Sequence, residues 1–177
     1  MSELTRVAFI ESMIRNVPDF PKPGIQFKDI TPMLADPKAF MTCLDLFAER
    51  WAGEGLDAVV GIESRGFIFG AALAARMSVS FVPARKPGKL PAATERVEYA
   101  LEYGTDALEM HVDALRAGDR VVVIDDLIAT GGTAAATVEL CRRLGAEVIG
   151  AGFVIELAAL GGRDAIADVP TLSLLTY

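Results

Sequence analysis

Basic residues are in deficit: 17 Lys and Arg stand against 24 Asp and Glu, a net charge of −7 over 177 residues. A general nucleic-acid binder needs a basic face, so no nucleic-acid partner is expected. Histidine is nearly missing. His111 is the single one, which excludes a histidine cluster for a metal; with no partner pattern nearby it reads as a surface residue. Cysteine is scarce too. Cys43 and Cys141 fall in apolar helical patterns and read as buried reduced thiols, since a chain of this length needs no disulfide framework. No apolar run approaches the ~18 residues of a membrane span, so no membrane partner is expected. The first residues mix Glu3, Arg6 and Glu11 with apolar ones, unlike the unbroken stretch of a signal peptide, and the expected compartment is cytoplasmic.

Apolar side chains are plentiful, at 52%, which argues against disorder. The length favours one domain over 1–177. Leu4, Val7, Ile10 and Ile14 recur at helical spacing and predict a helix over 3–15. The prolines of Val17 to Gly24 forbid a helix there and predict a surface segment, followed by a short strand within Ile25–Thr31. Pro37 should open a helix to about Glu54. Beyond Leu56, buried strands are expected at Asp57–Ile62, Val79–Ala84, Arg120–Ile124 and Val148–Ile155. Helices over Phe67–Met77 and Ala134–Leu144 alternate with them, the pattern of a covered parallel sheet.

One stretch departs from that pattern. Lys86 to Pro91 is rich in Pro, Gly and Lys. Val97, Tyr99, Leu101 and Tyr103 then alternate with polar or small residues, and Gly104-Thr105-Asp106 can turn the chain back through Leu108 and Met110. Residues 86–112 therefore read as a loop and projecting hairpin, a common form for an active-site lid.

The most informative string is Val121-Val122-Val123-Ile124-Asp125-Asp126-Leu127-Ile128-Ala129-Thr130-Gly131-Gly132-Thr133. A strand ends near two acids, and two glycines and two threonines open a helix. The glycines let backbone approach a ligand, and the helix start offers free N–H groups to a phosphate. Asp125 and Asp126 can accept from sugar hydroxyls or hold Mg²⁺ through water. Ala129, Thr130, Gly131, Gly132 and Thr133 with the two acids thus suit a ribose 5-phosphate. A Gly-Gly-Thr alone would be only a turn and a helix cap. Neither the Gly-x-x-x-x-Gly-Lys loop of nucleotide hydrolases nor a Gly-x-Gly-x-x-Gly after a strand is present.

The whole string resembles the phosphoribosyl pyrophosphate loop of the type I phosphoribosyltransferases. Within that family, Val17 to Pro32, Gly61-Ile62-Glu63-Ser64-Arg65-Gly66-Phe67, Arg85 to Pro91 and Leu101-Glu102-Tyr103-Gly104 are similar to the motifs of the adenine-specific branch. The resemblance implies an α/β fold with a mainly parallel sheet flanked by helices, an N-terminal hood over 1–33 and the lid over 86–112. It implies a purine-salvage enzyme that makes AMP and pyrophosphate from adenine and phosphoribosyl pyrophosphate, with Mg²⁺ held through substrate and water rather than directly. It places adenine against Phe27 and Leu157, with Ile25 and Lys28 beside the base, and pyrophosphate on Arg65, Arg85, Lys86 and Lys89. Glu102 is its proton-transfer residue, with Tyr103 beside it in the lid. A homodimer is the family expectation. Read alone, Phe27 would be an ordinary core aromatic. Three other readings stand beside it: transfer to a different purine base, a non-catalytic sensor of phosphoribosyl pyrophosphate, and a plain structural or interaction domain, which the Asp-Asp and Gly-Gly-Thr string disfavours.

Overall fold

Five buried residues, Ala58–Ile62, form β3, an inner strand of the larger part of the chain. The computed structural model describes residues 2–100 and 104–177. These divide into two compact units, Met1–Arg50 and Trp51–Tyr177.

In the first unit, α1 (Glu3–Ser12) is capped by the Ser2 side chain, which accepts from the Thr5 N–H at 3.3 Å. This helix ends sooner than its apolar spacing suggests, because Arg15 already pairs with Asp29 in an antiparallel ribbon. That ribbon joins β1 (Arg15–Pro18) and β2 (Gln26–Asp29). The start of the proline-rich segment is therefore a strand rather than wandering loop, with Pro18 tolerated at the end of a two-stranded edge. A five-residue helix, α2 (Thr31–Ala35), precedes α3 (Pro37–Arg50), whose buried stripe includes Cys43, Leu44 and Phe47.

The second unit carries a parallel sheet in the order β4-β3-β7-β8-β9. Its strands beside β3 are β4 (Ser80–Ala84), β7 (Arg120–Ile128), β8 (Glu147–Glu156) and β9 (Thr171–Thr176). Helices α4 (Gly66–Met77) and α5 (Gly132–Arg143) flank it. Val60, Val121, Val123, Ala151 and Phe153 belong to one continuous core with α5 residues Val138 and Leu140. The expected strands and helices of this unit are all present, and β9 is an addition.

The hairpin is present as β5 (Thr94–Ala100) and β6 (Thr105–His111). It does not project freely. Leu108 and Met110 are fully buried and join the main core with Val97. Apolar residues on alternate positions give the ribbon one buried face, so its strands are held against the domain. Both cysteines are free and buried. Among the described residues no helix is long and apolar enough to cross a membrane.

Candidate active site

The order of the sheet decides where a ligand can enter. From β3 the chain crosses through α4 to β4 on one side. From β7 it crosses through α5 to β8 on the other. β3 and β7 are adjacent and in register, with Gly61 opposite Ile124. A parallel sheet opens a crevice at the carboxyl ends of two such strands. Gly66, the first residue of α4, presses on that point: a Cβ there would lie 2.7 Å from the Ile124 carbonyl oxygen and 3.0 Å from Asp125 Oδ1.

Directly beyond β7 lies a cavity of about 170 Å³ lined by Asp125, Leu127, residues 128–134 and Phe153. Gly131 caps α5 in the left-handed region, at φ 81°. Its missing side chain is required twice over, since a Cβ would stand 2.2 Å from the Gly162 carbonyl oxygen. The first turn of α5 carries no acidic residue, so nothing opposes the positive end of its dipole. Backbone N–H groups at this helix start lack intrahelical partners and suit a phosphate. Ala129, Thr130, Gly131, Gly132 and Thr133 all line this one cavity.

The two acids are treated differently. β7 does not stop at Asp125 but runs on to Ile128, because Asp125, Leu127 and Ile128 keep their pairing with Phe153, Ile155 and Glu156 of β8. Neighbouring residues of a strand face opposite ways. Asp125 is half-buried and lines the cavity; Asp126 is buried and accepts from Arg65 Nε at 2.5 Å. Burial, then the charge of Asp126, raise the Asp125 carboxyl well above its usual range.

Arg65, half-exposed, follows β3 in the turn before α4. Arg85 and Lys86 follow β4, so like Arg65 they leave the sheet at the carboxyl ends of its parallel strands, the end that carries the cavity. Glu63 organises them. Its Oε2 accepts from Arg85 Nε at 3.2 Å and from the Lys86 N–H at 3.0 Å. Burial alone would raise Glu63, but the Lys86 N–H, the Arg85 guanidinium and the charge of Lys89 outweigh it and hold the group below its usual value. Arg85 also bonds the Lys89 carbonyl oxygen at 3.0 Å, and Lys86 Nζ donates to the Tyr99 hydroxyl at 2.9 Å and to Asp106. Lys89 is exposed.

Ile25, Phe27 and Lys28 lie in and beside β2 of the first unit. Phe27 packs edge-on against Phe20, with ring centroids 5.1 Å apart, and Lys28 Nζ donates to Asn16 Oδ1 at 2.7 Å. Leu157 follows β8 in the second unit and donates its N–H to the Ile128 carbonyl at 3.0 Å. Glu102 and Tyr103 lie outside the described residues. His111 is half-buried at the end of β6, and its Nε2 accepts the Ala92 N–H at 3.4 Å.

The phosphoribosyl transferase domain, as a family model, matches residues 32–171. An adenine phosphoribosyltransferase of Sorangium cellulosum (strain So ce56) is 64% identical over 160 residues, covering 90% of this chain and 80% of that protein. The chain belongs to this family. The crystal structure of adenine phosphoribosyltransferase from Rhodothermus marinus DSM 4252 superposes with a TM-score of 0.93 at 50% identity, covering 98% and 99% of the two chains. That from Saccharomyces cerevisiae, complexed with an imino-altritol bisphosphate and adenine, gives 0.93 at 39% identity over 97% and 99%.

Within this phosphoribosyltransferase fold, sequence motifs mark the loop after β7 and the basic residues after β3 and β4. The Gly61–Phe67 motif contains Glu63 but gives it no role, which appears only where its two hydrogen bonds are seen. The motifs do not mark Arg163, whose guanidinium meets Glu156 through two hydrogen bonds, at 3.1 and 2.5 Å.

Proposed function

We propose that the chain is a purine-salvage transferase joining adenine to phosphoribosyl pyrophosphate and releasing AMP and pyrophosphate. The observation that carries this reading is the cavity at the start of α5, walled by loop 129–133 and edged by Asp125. The 5′-phosphate would take the N–H groups of that loop, and Asp125 would accept from a ribose hydroxyl. The diphosphate would lie on Arg65, Arg85, Lys86 and Lys89, which follow the carboxyl ends of β3 and β4 in an otherwise acidic chain.

As the bond at the sugar C1′ breaks, negative charge grows on the departing diphosphate and positive charge on the ring, as in glycoside hydrolysis. Preplaced guanidinium and ammonium groups stabilise the first without reorganising. Asp126 and Glu63 keep Arg65 and Arg85 in place before substrate arrives. Mg²⁺ would supply further charge neutralisation on the diphosphate. The ion is proposed to take its ligands from substrate and water, with Asp125 reached through water. Glu102 is proposed to hold the proton of a purine ring nitrogen, a contribution of roughly 10²–10⁴ in rate. Phe27 is proposed to stack on the base, with Ile25 and Lys28 beside it in the 1–33 hood, and Leu157 as an apolar contact. Residues 86–112 are proposed as the lid, with Tyr103 in it; because the β5–β6 strands share the core, closure there would be limited to loop segments.

A homodimer is supported by α4. Its outer side presents Ile68, 42% exposed, with exposed Ala71 and Ala75 at helical spacing. Cytoplasmic action is proposed with it. Initial rates with adenine, hypoxanthine, guanine and xanthine test the function: turnover of adenine alone is expected. Turnover of another base instead would keep the phosphate site and overturn the base assignment. No nucleotide from any base would overturn the enzyme reading.

A further inference from the structure

Glu156 ends β8 and is 8% exposed. Buried carboxylates persist only when paired and hydrogen-bonded. Here the partner is Arg163, on the short 3₁₀ turn Gly162–Ile166. Nε and Nη2 of Arg163 bond the two carboxylate oxygens at 3.1 and 2.5 Å, the two-pronged geometry only arginine gives. The guanidinium is then fixed to β9 as well: Nη1 donates to the Thr171 carbonyl at 3.0 Å and Nη2 to Ser173 Oγ at 3.2 Å. The pair ties both ends of segment 157–162 to the sheet.

The 3₁₀ turn held in this way is the back wall of the phosphate loop. A Cβ on Gly162 would fall 2.2 Å from the Ala129 carbonyl oxygen and 2.9 Å from the Gly131 nitrogen. A Cβ on Gly131 would meet the Gly162 carbonyl oxygen and the Ala165 Cβ, at 2.2 and 2.8 Å. Backbone therefore rests on backbone, with no side chain between to absorb a shift. Ile166, 1% exposed, anchors the far end of the turn in the core. Arg163, next to Gly162, is what fixes the near end.

We propose that Glu156 and Arg163 are positioning residues for phosphoribosyl binding, setting the place of loop 129–133 from behind through Gly162 and Ala165. The inference rests on the phosphate-site reading given above. Neither side chain lines the cavity; they act by where they hold the turn.

The test uses Arg163→Gln and the double variant Glu156→Gln/Arg163→Gln, with ribose 5-phosphate binding by calorimetry and initial rates for both substrates. Arg163→Gln alone leaves a buried charge unpaired and is expected to lower the melting temperature or fail to fold; the double variant removes that charge and restores stability. In the folded double variant the Kd for ribose 5-phosphate and the KM for phosphoribosyl pyrophosphate are expected to rise by about tenfold or more. Unchanged ribose 5-phosphate affinity in the folded double variant would overturn the proposal. A wild-type protein that binds ribose 5-phosphate but forms no AMP would sink the activity reading while leaving this inference testable by binding alone.

Discussion

Asp126 accepts the Arg65 Nε hydrogen bond at 2.5 Å, joining the end of β7 to the turn after β3. The contact bridges the two strands that border the crevice. Arg65 is thereby held before any anion binds, with half of its side chain exposed. Replacing Arg65 with Gln should lower kcat/KM for phosphoribosyl pyrophosphate by about 10²-fold, the scale of losing a preplaced charge donor. The reverse reaction with pyrophosphate should fall alike. Initial rates in both directions check this, and a change confined to adenine KM would contradict it.

Gly131→Ala tests the loop itself. The left-handed φ of 81° and the 2.2 Å approach to the Gly162 carbonyl oxygen leave no room for a methyl group. The substitution should cost at least about 1–3 kcal/mol of stability, from strain alone. Denaturant unfolding gives the number. Phosphoribosyl pyrophosphate binding should weaken with it, and a stable variant with unchanged KM would show that the loop tolerates a shift.

Phe27→Ala separates the base from the sugar. Phe27 is half-buried and rests on Phe20 rather than in a closed core. Loss of a base-stacking ring costs about 1–3 kcal/mol, so adenine KM should rise by roughly one to two orders of magnitude. The KM for phosphoribosyl pyrophosphate should hold. Equal effects on both would make Phe27 a structural residue.

Asp125 gives the pH dependence. Its folded carboxyl is raised, first by burial and then by Asp126. A raised acid favours folding in its protonated form. That contribution is fully present below the unfolded value, about 3.9 for Asp, and is lost as pH rises through the folded one. Above the unfolded value the raised carboxyl therefore works against folding of the ligand-free protein. Asp125→Asn should melt higher than wild type at pH 7, the gap should close towards pH 4 and below, and activity should drop. Thermal melts across pH 3–8 read the gap. A variant that melts lower at pH 7 would mean that Asp125 supports the fold.

Much of this was legible in the chain. β3, the Val121–Ile124 part of β7 and the Val148–Ile155 part of β8 are unbroken apolar runs, and the Asp-Asp and Gly-Gly-Thr string lies where a parallel sheet binds ligands. The hairpin showed its period of two, but not that Leu108 and Met110 would fill the core, because an apolar face looks the same in sequence whether it covers a lid or a domain. β9 was hidden by the threonines and serine among its leucines, and α2 is too short to show a period. The division of labour between Asp125 and Asp126 needed the strand to continue past them. Glu63 with Arg85 and Glu156 with Arg163 are set by tertiary contact, which spacing cannot display.

The central claim meets its most direct test in one reaction: purified protein, adenine, phosphoribosyl pyrophosphate and Mg²⁺, with AMP and pyrophosphate measured together. The account predicts that both appear in equal amounts and only when adenine is present. Pyrophosphate released without AMP, or neither product formed, would contradict it.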